Sequence, residues 1–318
     1  MLILNRREVD ELLDVDALVD ALAGAMDDLS AGRVSMPPRT FAMVGDRGLL
    51  AAMPAYVGSS ELLAAKLVLV FPGNASRDLE THQAIVAVFD AETGAPVALL
   101  DGAAITATRT ACGSALATRL LARSDARVLA IIGSGVQART HAHAVTRVRD
   151  IERILVAGRN AERLAAFASE IGAEVAPPDE AVAAADVVCV CTSATKPVLL
   201  RRWLQPGTHV NAVGFAPGPE LEPEVFGDAL VVVETRSAAI GEHPNGSVDI
   251  TTAIERGLLD RDSVSEVGEL VAGTRPGRTD DEQITVYRSV GVAVQDATSA
   301  GIVLEAARRS GAGTYVEF

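Results

Sequence analysis

The chain has 318 residues, 49% hydrophobic and 22% charged, which is material for a full buried core and for two domains of ordinary size. A formal net charge of −14, with no local run of Lys or Arg to offset it, excludes nucleic acid and anionic membranes as partners. Three cysteines, Cys112, Cys189 and Cys191, are too few for a disulfide framework and suit a reducing cytoplasm.

The opening MLILNRREVDELLDVDAL reads as a strand and a helix, because acidic residues follow its short apolar run too closely for a signal peptide. Helical spacing of apolar residues predicts a helix over 15–29, followed by a turn-rich segment around Gly32, Pro37 and Pro38. Strands are predicted over 49–53, 64–71 and 84–90, the last closed by a Thr93-Gly94 turn, and together they suggest an antiparallel or mixed sheet. The longest apolar stretch, 62–71, contains Lys66 and falls far short of the roughly 20 residues of a membrane span. A long helix rich in Ala, Leu and Thr is predicted over 103–123, leading out of the first domain as a candidate hinge.

Beyond Asp125 the apolar runs VLAII (128–132), ILVA (154–157), VVCVC (187–191), HVNAV (209–213) and LVVV (230–233) alternate with helical or small-residue segments. That is the pattern of a doubly wound α/β domain with a parallel sheet covered on both faces. The expected division is therefore 1–123 and 124–291, with the helical end, 292–318, packing back on the first domain.

Directly after VLAII stands Gly133-Ser134-Gly135-Val136-Gln137-Ala138, a G-x-G-x-x-A turn between a strand and a helix, the setting that gives the dinucleotide fingerprint its meaning. Gly133 permits the tight turn, Gly135 lets the backbone approach a pyrophosphate, and Ala138 allows close helix packing, while the helix N-terminus offers free N–H groups to phosphate. An NAD site expects an acidic residue at the end of the second strand, and that place here reads Gly158-Arg159-Asn160. Arg159 suits a 2′-phosphate, so NADP(H) is favoured over NAD(H); the competing reading is a surface arginine at a strand end.

In the first domain three cations stand out: Arg39 after Met36-Pro37-Pro38, Lys66 inside AAKLVLVF, and Arg109 in ITATRT. A lysine in an apolar run must meet a carboxylate or line a wet cleft. Each cation alone is compatible with a structural ion pair, and together they are what anchoring an amino-acid carboxylate requires. His141 and His143, two apart on a helix, face different ways, and Cys189 and Cys191 lie on an interior strand, so no metal site is expected. No G-x-S-x-G elbow is present.

With THQAIVAVFDAETGAPVALLDGAAITATRTACGSALATRLLAR (81–123) running toward IIGSGVQARTHAHA, and with MPAYVG, DVVCVCTSATKPVL, HVNAVG and GVAVQDA elsewhere, nearly the whole chain resembles the ornithine cyclodeaminase/mu-crystallin family. The resemblance implies a Rossmann domain beside a smaller α+β domain that binds substrate and forms a homodimer. It implies that Arg39, Lys66 and Arg109 clamp a substrate carboxylate, Lys66 and Arg109 being catalytic, and that Thr81 and Thr110 touch the cofactor. Val136 and Gln137 would lie on the pyrophosphate, Arg159 and Asn160 at the adenosine end, Thr192 and Ser193 near the ribose, and Val213 and Gly291 near the nicotinamide.

The departures bear on the reaction. Family cyclodeaminases carry an aspartate shortly after the VG of HVNAVG, whereas Gly214-Phe215-Ala216-Pro217-Gly218-Pro219-Glu220 is shorter and has none; Glu220 or Glu222 would have to replace it. GEHPNGSVDI (241–250) also replaces a shorter acidic turn of the family. The expectation is therefore an NAD(P)H-dependent reductase of a small ketimine carboxylate, or the reverse amino-acid dehydrogenase. The alternatives are an ornithine cyclodeaminase and a mu-crystallin-like binding protein without turnover.

Overall fold

A computed structural model of the chain describes every residue except Asp78, Ala216, Glu242, His243 and Phe318, so the 214–220 loop and the 241–250 segment lie partly outside the described residues. The chain divides into two units, residues 1–109 with 292–318, and residues 110–291.

In the first unit, strand β1 (Leu2–Leu4) leads into helix α1 (Arg6–Leu12), whose start is fixed by a reciprocal cap between Asn5 and Glu8. Helix α2 (Val15–Ser30) begins at the Asp14 cap and buries Leu18, Val19, Leu22 and Met26 along one stripe. Strands β2 (Val34–Ser35), β3 (Thr40–Met43), β4 (Leu49–Val57), β5 (Leu62–Val70), β6 (His82–Phe89) and β7 (Pro96–Asp101) follow. β4 to β7 form an antiparallel meander, and β1 joins β7 in parallel, so the sheet is mixed. Alternation sends Ala51, Met53, Ala55, Ala64, Lys66, Val86, Val88, Ala98 and Leu100 to one buried face. Helix α3 (Gly102–Leu121) starts at the end of β7, and the division into units falls within it, between Arg109 and Thr110.

The second unit runs β8 (Val128–Ile132), α4 (Val136–Val145), β9 (Arg153–Ala157), α5 (Ala161–Ile171), β10 (Glu174–Val175), α6 (Pro178–Ala183), β11 (Val187–Val190), β12 (His209–Ala212), β13 (Leu230–Val233), α7 (Arg236–Ala239), α8 (Val248–Glu255), β14 (Ser265–Glu266), α9 (Val267–Val271) and β15 (Thr285–Arg288). Its strands are all parallel, in the order β10-β9-β8-β11-β12-β15-β13-β14. Alternate residues of β8 feed two separate cores, Leu129 and Ile131 on one face and Ala130 and Ile132 on the other, as a doubly wound sheet requires. All five apolar runs read from the sequence are present as strands. β15 was not foreseen: its four residues, TVYR, carry a polar residue at each end, yet every one is buried between β12 and β13.

Helix α10 (Ala293–Ser310) returns to the first unit, lying on β4, β5, β6 and α2, and ends at Gly311 with φ +71°. Strand β16 (Thr314–Tyr315) then pairs with β1, so the first unit is assembled from both ends of the chain.

Two imidazoles are sealed in the second unit. His141 meets the Gln137 carbonyl and the Ser114 hydroxyl at 2.7 and 2.9 Å, and His209 meets the Thr285 hydroxyl and Asn211 Oδ1 at 2.8 and 3.2 Å. Burial pulls His141 down to about 4, and burial with the nearby Arg278 pulls His209 down to about 3. The unfolded chain takes up these protons near the ordinary histidine value, whereas the folded one resists them, so stability is lost as pH falls below about 6.5. Between there and pH 4 each imidazole is expected to remove about 1.4 kcal/mol per pH unit. Urea unfolding across this range should show that fall, and His209→Gln should remove roughly half of the histidine contribution.

Candidate functional site

The glycine turn of the second unit has the geometry its sequence promises. Gly133 has φ +127°, its N–H donates to the Ala157 carbonyl at 2.8 Å, and a Cβ there would stand 2.3 Å from the Cys191 carbonyl oxygen. Only glycine fits this close crossing of β8 and β11, the two strands between which the direction of sheet growth reverses. Gly135 is the N-cap of α4 and supplies no capping side chain, Val136 is 63% exposed, and Ala138 is buried in the core beneath. The first-turn N–H groups of α4 therefore suit an anion beyond the strand ends. Gln137 adds a buried side-chain oxygen with no hydrogen-bond donor, and Arg139 Nη1 donates to the Ser134 carbonyl at 2.9 Å, bracing the turn.

At the end of β9, Arg159 and Asn160 are exposed, but the Asn160 side-chain oxygen is occupied in capping α5, where it accepts the Arg163 N–H at 2.9 Å. Ser193 is exposed, while the Thr192 N–H and hydroxyl both donate to Glu220 Oε1, at 3.0 and 2.7 Å. Val213 is partly buried, with its N–H on the Val190 carbonyl, and the next residue, Gly214, donates to Glu220 Oε2 at 2.8 Å. Gly291 has φ +68° and donates to Glu234 Oε1 at 3.0 Å.

Glu220 is thus not a solvated loop carboxylate. It is 2% exposed, and burial pushes its carboxyl up while Arg288, Thr192 and Gly214 favour the charge. It ties the segment after β11 to the segment after β12. Glu222 accepts the Arg201 N–H at 2.8 Å. Sequence reading missed Asp249, which accepts the Glu220 and Leu221 N–H groups at 2.7 and 2.8 Å and pairs with Arg288 Nε at 2.7 Å. It also missed Glu234, which gathers Ser289, Val290 and Gly291. Nothing in their local sequence distinguishes them from surface acids.

In the first unit, the strand register sets Lys66 opposite Met53 and Val86 on the helix-facing side of the sheet, where it is 2% exposed. Its Nζ lies 2.9 and 2.8 Å from the two carboxylate oxygens of Asp296 on α10, and 3.4 Å from the Thr106 hydroxyl on α3. Arg109 reaches the same carboxylate with Nε at 3.0 Å and the Gln295 side-chain oxygen with Nη1 at 3.1 Å. Burial pulls the Lys66 ammonium down to about 8; Asp296 holds it up, and Arg109 and Arg39 pull it lower. Arg109 and Arg39 thus both act electrostatically on Lys66.

Asp296 and Gln295 were overlooked, although GVAVQDA was noticed; an acid in a run of small apolar residues is the counterpart of the lysine in AAKLVLVF. His82 on β6 belongs to the same surroundings, its imidazole pulled down by burial and by Lys66 and Arg109. Thr81 precedes β6 and accepts the Phe71 N–H at 2.9 Å, and Thr110 is buried in α3 of the second unit.

Among the described residues no group of His, Cys, Asp and Glu could hold a metal ion, and no helix is long and apolar enough to cross a membrane. Cys112, Cys189 and Cys191 are buried thiols, none of them in a disulfide.

A model of the ornithine cyclodeaminase/mu-crystallin family matches residues 1–311. The Delta(1)-pyrroline-2-carboxylate reductase of Bacillus thuringiensis subsp. konkukian (strain 97-27) is 36% identical, with the match covering 100% of both chains. The solved Thermococcus litoralis Delta(1)-pyrroline-2-carboxylate reductase, in complex with NADH and L-proline, superposes with a TM-score of 0.93 at 35% identity, over 99% of this chain and 100% of that one. An archaeal alanine dehydrogenase dimer with bound NAD gives a TM-score of 0.92 at 32% identity, over 100% and 99% of the two chains. A family match over nearly the full length, with the glycine turn and the cation cluster both formed, makes this chain a member of the ornithine cyclodeaminase/mu-crystallin family.

Proposed function

We propose that the chain is a nicotinamide-dinucleotide-dependent oxidoreductase that reduces a small cyclic ketimine carboxylate to the amino acid and runs the reverse dehydrogenation when driven. The observation that carries this reading is the buried Lys66–Asp296–Arg109 cluster, a titratable ammonium beside a fixed guanidinium. The names of the reductase and alanine dehydrogenase relatives support it.

Arg109 uses Nε and one Nη1 proton within the protein, which leaves its Nη2 edge to grip a substrate carboxylate together with Arg39. Holding that carboxylate fixes the imine carbon and turns an encounter into an oriented reaction. Lys66 donates a proton to the imine nitrogen. The bound dinucleotide supplies the hydride, so the carbon gains a hydride, the nitrogen a proton, and the products are an amino acid and the oxidised dinucleotide. The glycine turn with Val136 and Gln137 holds the pyrophosphate, the segments at Thr192–Ser193 and Val213 border the nicotinamide half, and Gly291 closes that end. Arg159, exposed where an NAD site would carry an acid, favours NADP(H) over NAD(H). Glu220 is held by Thr192 and Gly214 and so does not take the place of the cyclodeaminase aspartate.

The protein works as a homodimer in a reducing cytoplasm. The sheet face of the first unit opposite the buried one carries Leu50, Leu63, Leu67, Leu69, Phe89 and Leu99 partly exposed, with Tyr56 36% and Ile85 42% exposed. An apolar face spread over four strands is what a second copy would cover.

NADPH absorbance should fall on addition of five- or six-membered cyclic imine carboxylates, and ornithine with NAD should release no ammonia. Arg109→Ala should cut kcat/KM by about 10- to 100-fold, the loss of a charged hydrogen-bond pair; a wild-type value would remove Arg109 from the clamp. Arg159→Ala should raise the KM for NADPH about tenfold and leave that for NADH nearly unchanged. Ile85→Asp should convert a dimer to a monomer in light scattering of the eluting protein.

A further inference from the structure

We infer that Asp296 is a positioning residue for proton transfer: its carboxylate, shared between Lys66 and Arg109, keeps the Lys66 ammonium charged and oriented as the acid of the reaction. The inference rests on the reductase reading above and adds to it a residue that acts through Lys66 rather than on the substrate.

The geometry is a competition among fixed charges. Arg109 and Arg39 both bear on Lys66, and His82 on β6 is a further titratable group, under the influence of Lys66 and Arg109. Arginine stays charged under all working conditions, so the group that must yield to crowding is the lysine. Asp296 on α10 opposes that outcome. Both of its oxygens face Lys66 Nζ, at 2.9 and 2.8 Å, while one also accepts Arg109 Nε at 3.0 Å. With Lys66 and Asp296 each 2% exposed, water does little to weaken this pairing.

The residue types point the same way. The chain has 28 Lys and Arg, of which Lys66 and Lys196 are the only lysines. Among the described lysines and arginines the most deeply buried is a lysine, Lys66, whose proton leaves far more readily than an arginine's. A carboxylate clamp alone would be served as well by arginine. A proton donor would not.

Gln295 completes the arrangement. Its oxygen accepts from Arg109 Nη1 at 3.1 Å and from the Val292 N–H at 3.2 Å, which fixes the start of α10 and with it the height of Asp296 over the sheet. Lys66 donates one N–H to Asp296 Oδ1 and another to the Thr106 hydroxyl at 3.4 Å, while Asp296 Oδ2 lies 2.8 Å from Nζ as an ion-pair contact.

Reduction needs Lys66 protonated, so its rate should fall as pH rises through about 8. Asp296→Asn removes the charge that supports the ammonium and leaves Arg39 and Arg109 in place, so the alkaline limb of imine reduction should move down by about 1 to 3 pH units. The KM for the imine should not rise, because the clamp loses a repelling anion, and Asp296→Glu should restore the limb toward wild type. A purely structural role predicts instead a rate lowered equally at every pH with the limb unmoved, and that result would overturn the inference.

Carbon-13 labelling of the lysine side chains gives two signals, Lys66 and the exposed Lys196, and follows the ammonium directly in the dinucleotide-bound protein. The Lys66 signal should titrate well below that of Lys196 in wild type and lower still in Asp296→Asn. A Lys66 signal that titrates at the same pH in wild type and in Asp296→Asn would overturn the inference, as would an Asp296→Glu protein whose Lys66 titrates well below wild type. Should wild type reduce no imine, the reductase reading falls, while the Lys66 titration still decides the role of Asp296.

Discussion

One carboxylate facing two buried cations organises the first unit. A lysine in the middle of a strand on the core side of a sheet is costly unless paired, and Asp296 meets that need from the helix lying across the strand. The pair decides more than its own stability. Because the carboxylate is shared with Arg109, the angle of the guanidinium, the placement of α10 over β5 and the charge on Lys66 are set together. A change to any one of them is therefore felt by the other two.

The second unit solves a different problem with similar means. The segments that follow its strand ends, where backbone ladders stop, are fixed by buried acids. Glu220 joins the segments after β11 and β12, Asp249 and Arg288 hold Glu220 and Gly214, and Glu234 gathers the turn at Ser289 to Gly291. Such networks are stable when every member is satisfied, and they give loops the rigidity of strands. The segments are therefore held in place by the protein's own contacts.

The extent to which this was legible in the sequence follows from which interactions are local. The glycine turn, the five apolar strands and the helices α2, α3 and α10 announce themselves through spacing and composition within a short window. The cations Arg39, Lys66 and Arg109 stood out because a charge in an apolar or proline-marked context is anomalous wherever it occurs. Asp296, Asp249 and Glu234 did not, because an acid in a helix or loop looks alike whether it faces water or a buried arginine. The buried role of Glu220 was hidden for the same reason: its partners Thr192 and Gly214 are brought to it by two strands that only the folded sheet aligns. β15 escaped because it is shorter and more polar than its neighbours, and its burial comes from insertion between strands made much earlier in the chain.

The return of α10 and β16 to the first unit has a consequence for how the protein is made. Lys66 and Asp296 are separated by 230 positions, so a ribosome exposes the lysine strand long before the acid that neutralises it. The second unit is a continuous stretch, 110–291, and has everything it needs to close while the chain is still being synthesised. The first unit does not. Its sheet, with the Lys66 ammonium at its centre, is completed only when residues 292–318 follow, so the Lys66–Asp296–Arg109 cluster forms after the second unit has been made. A product stalled before residue 292 would hold a finished second unit and a first unit whose buried lysine still lacks its acid.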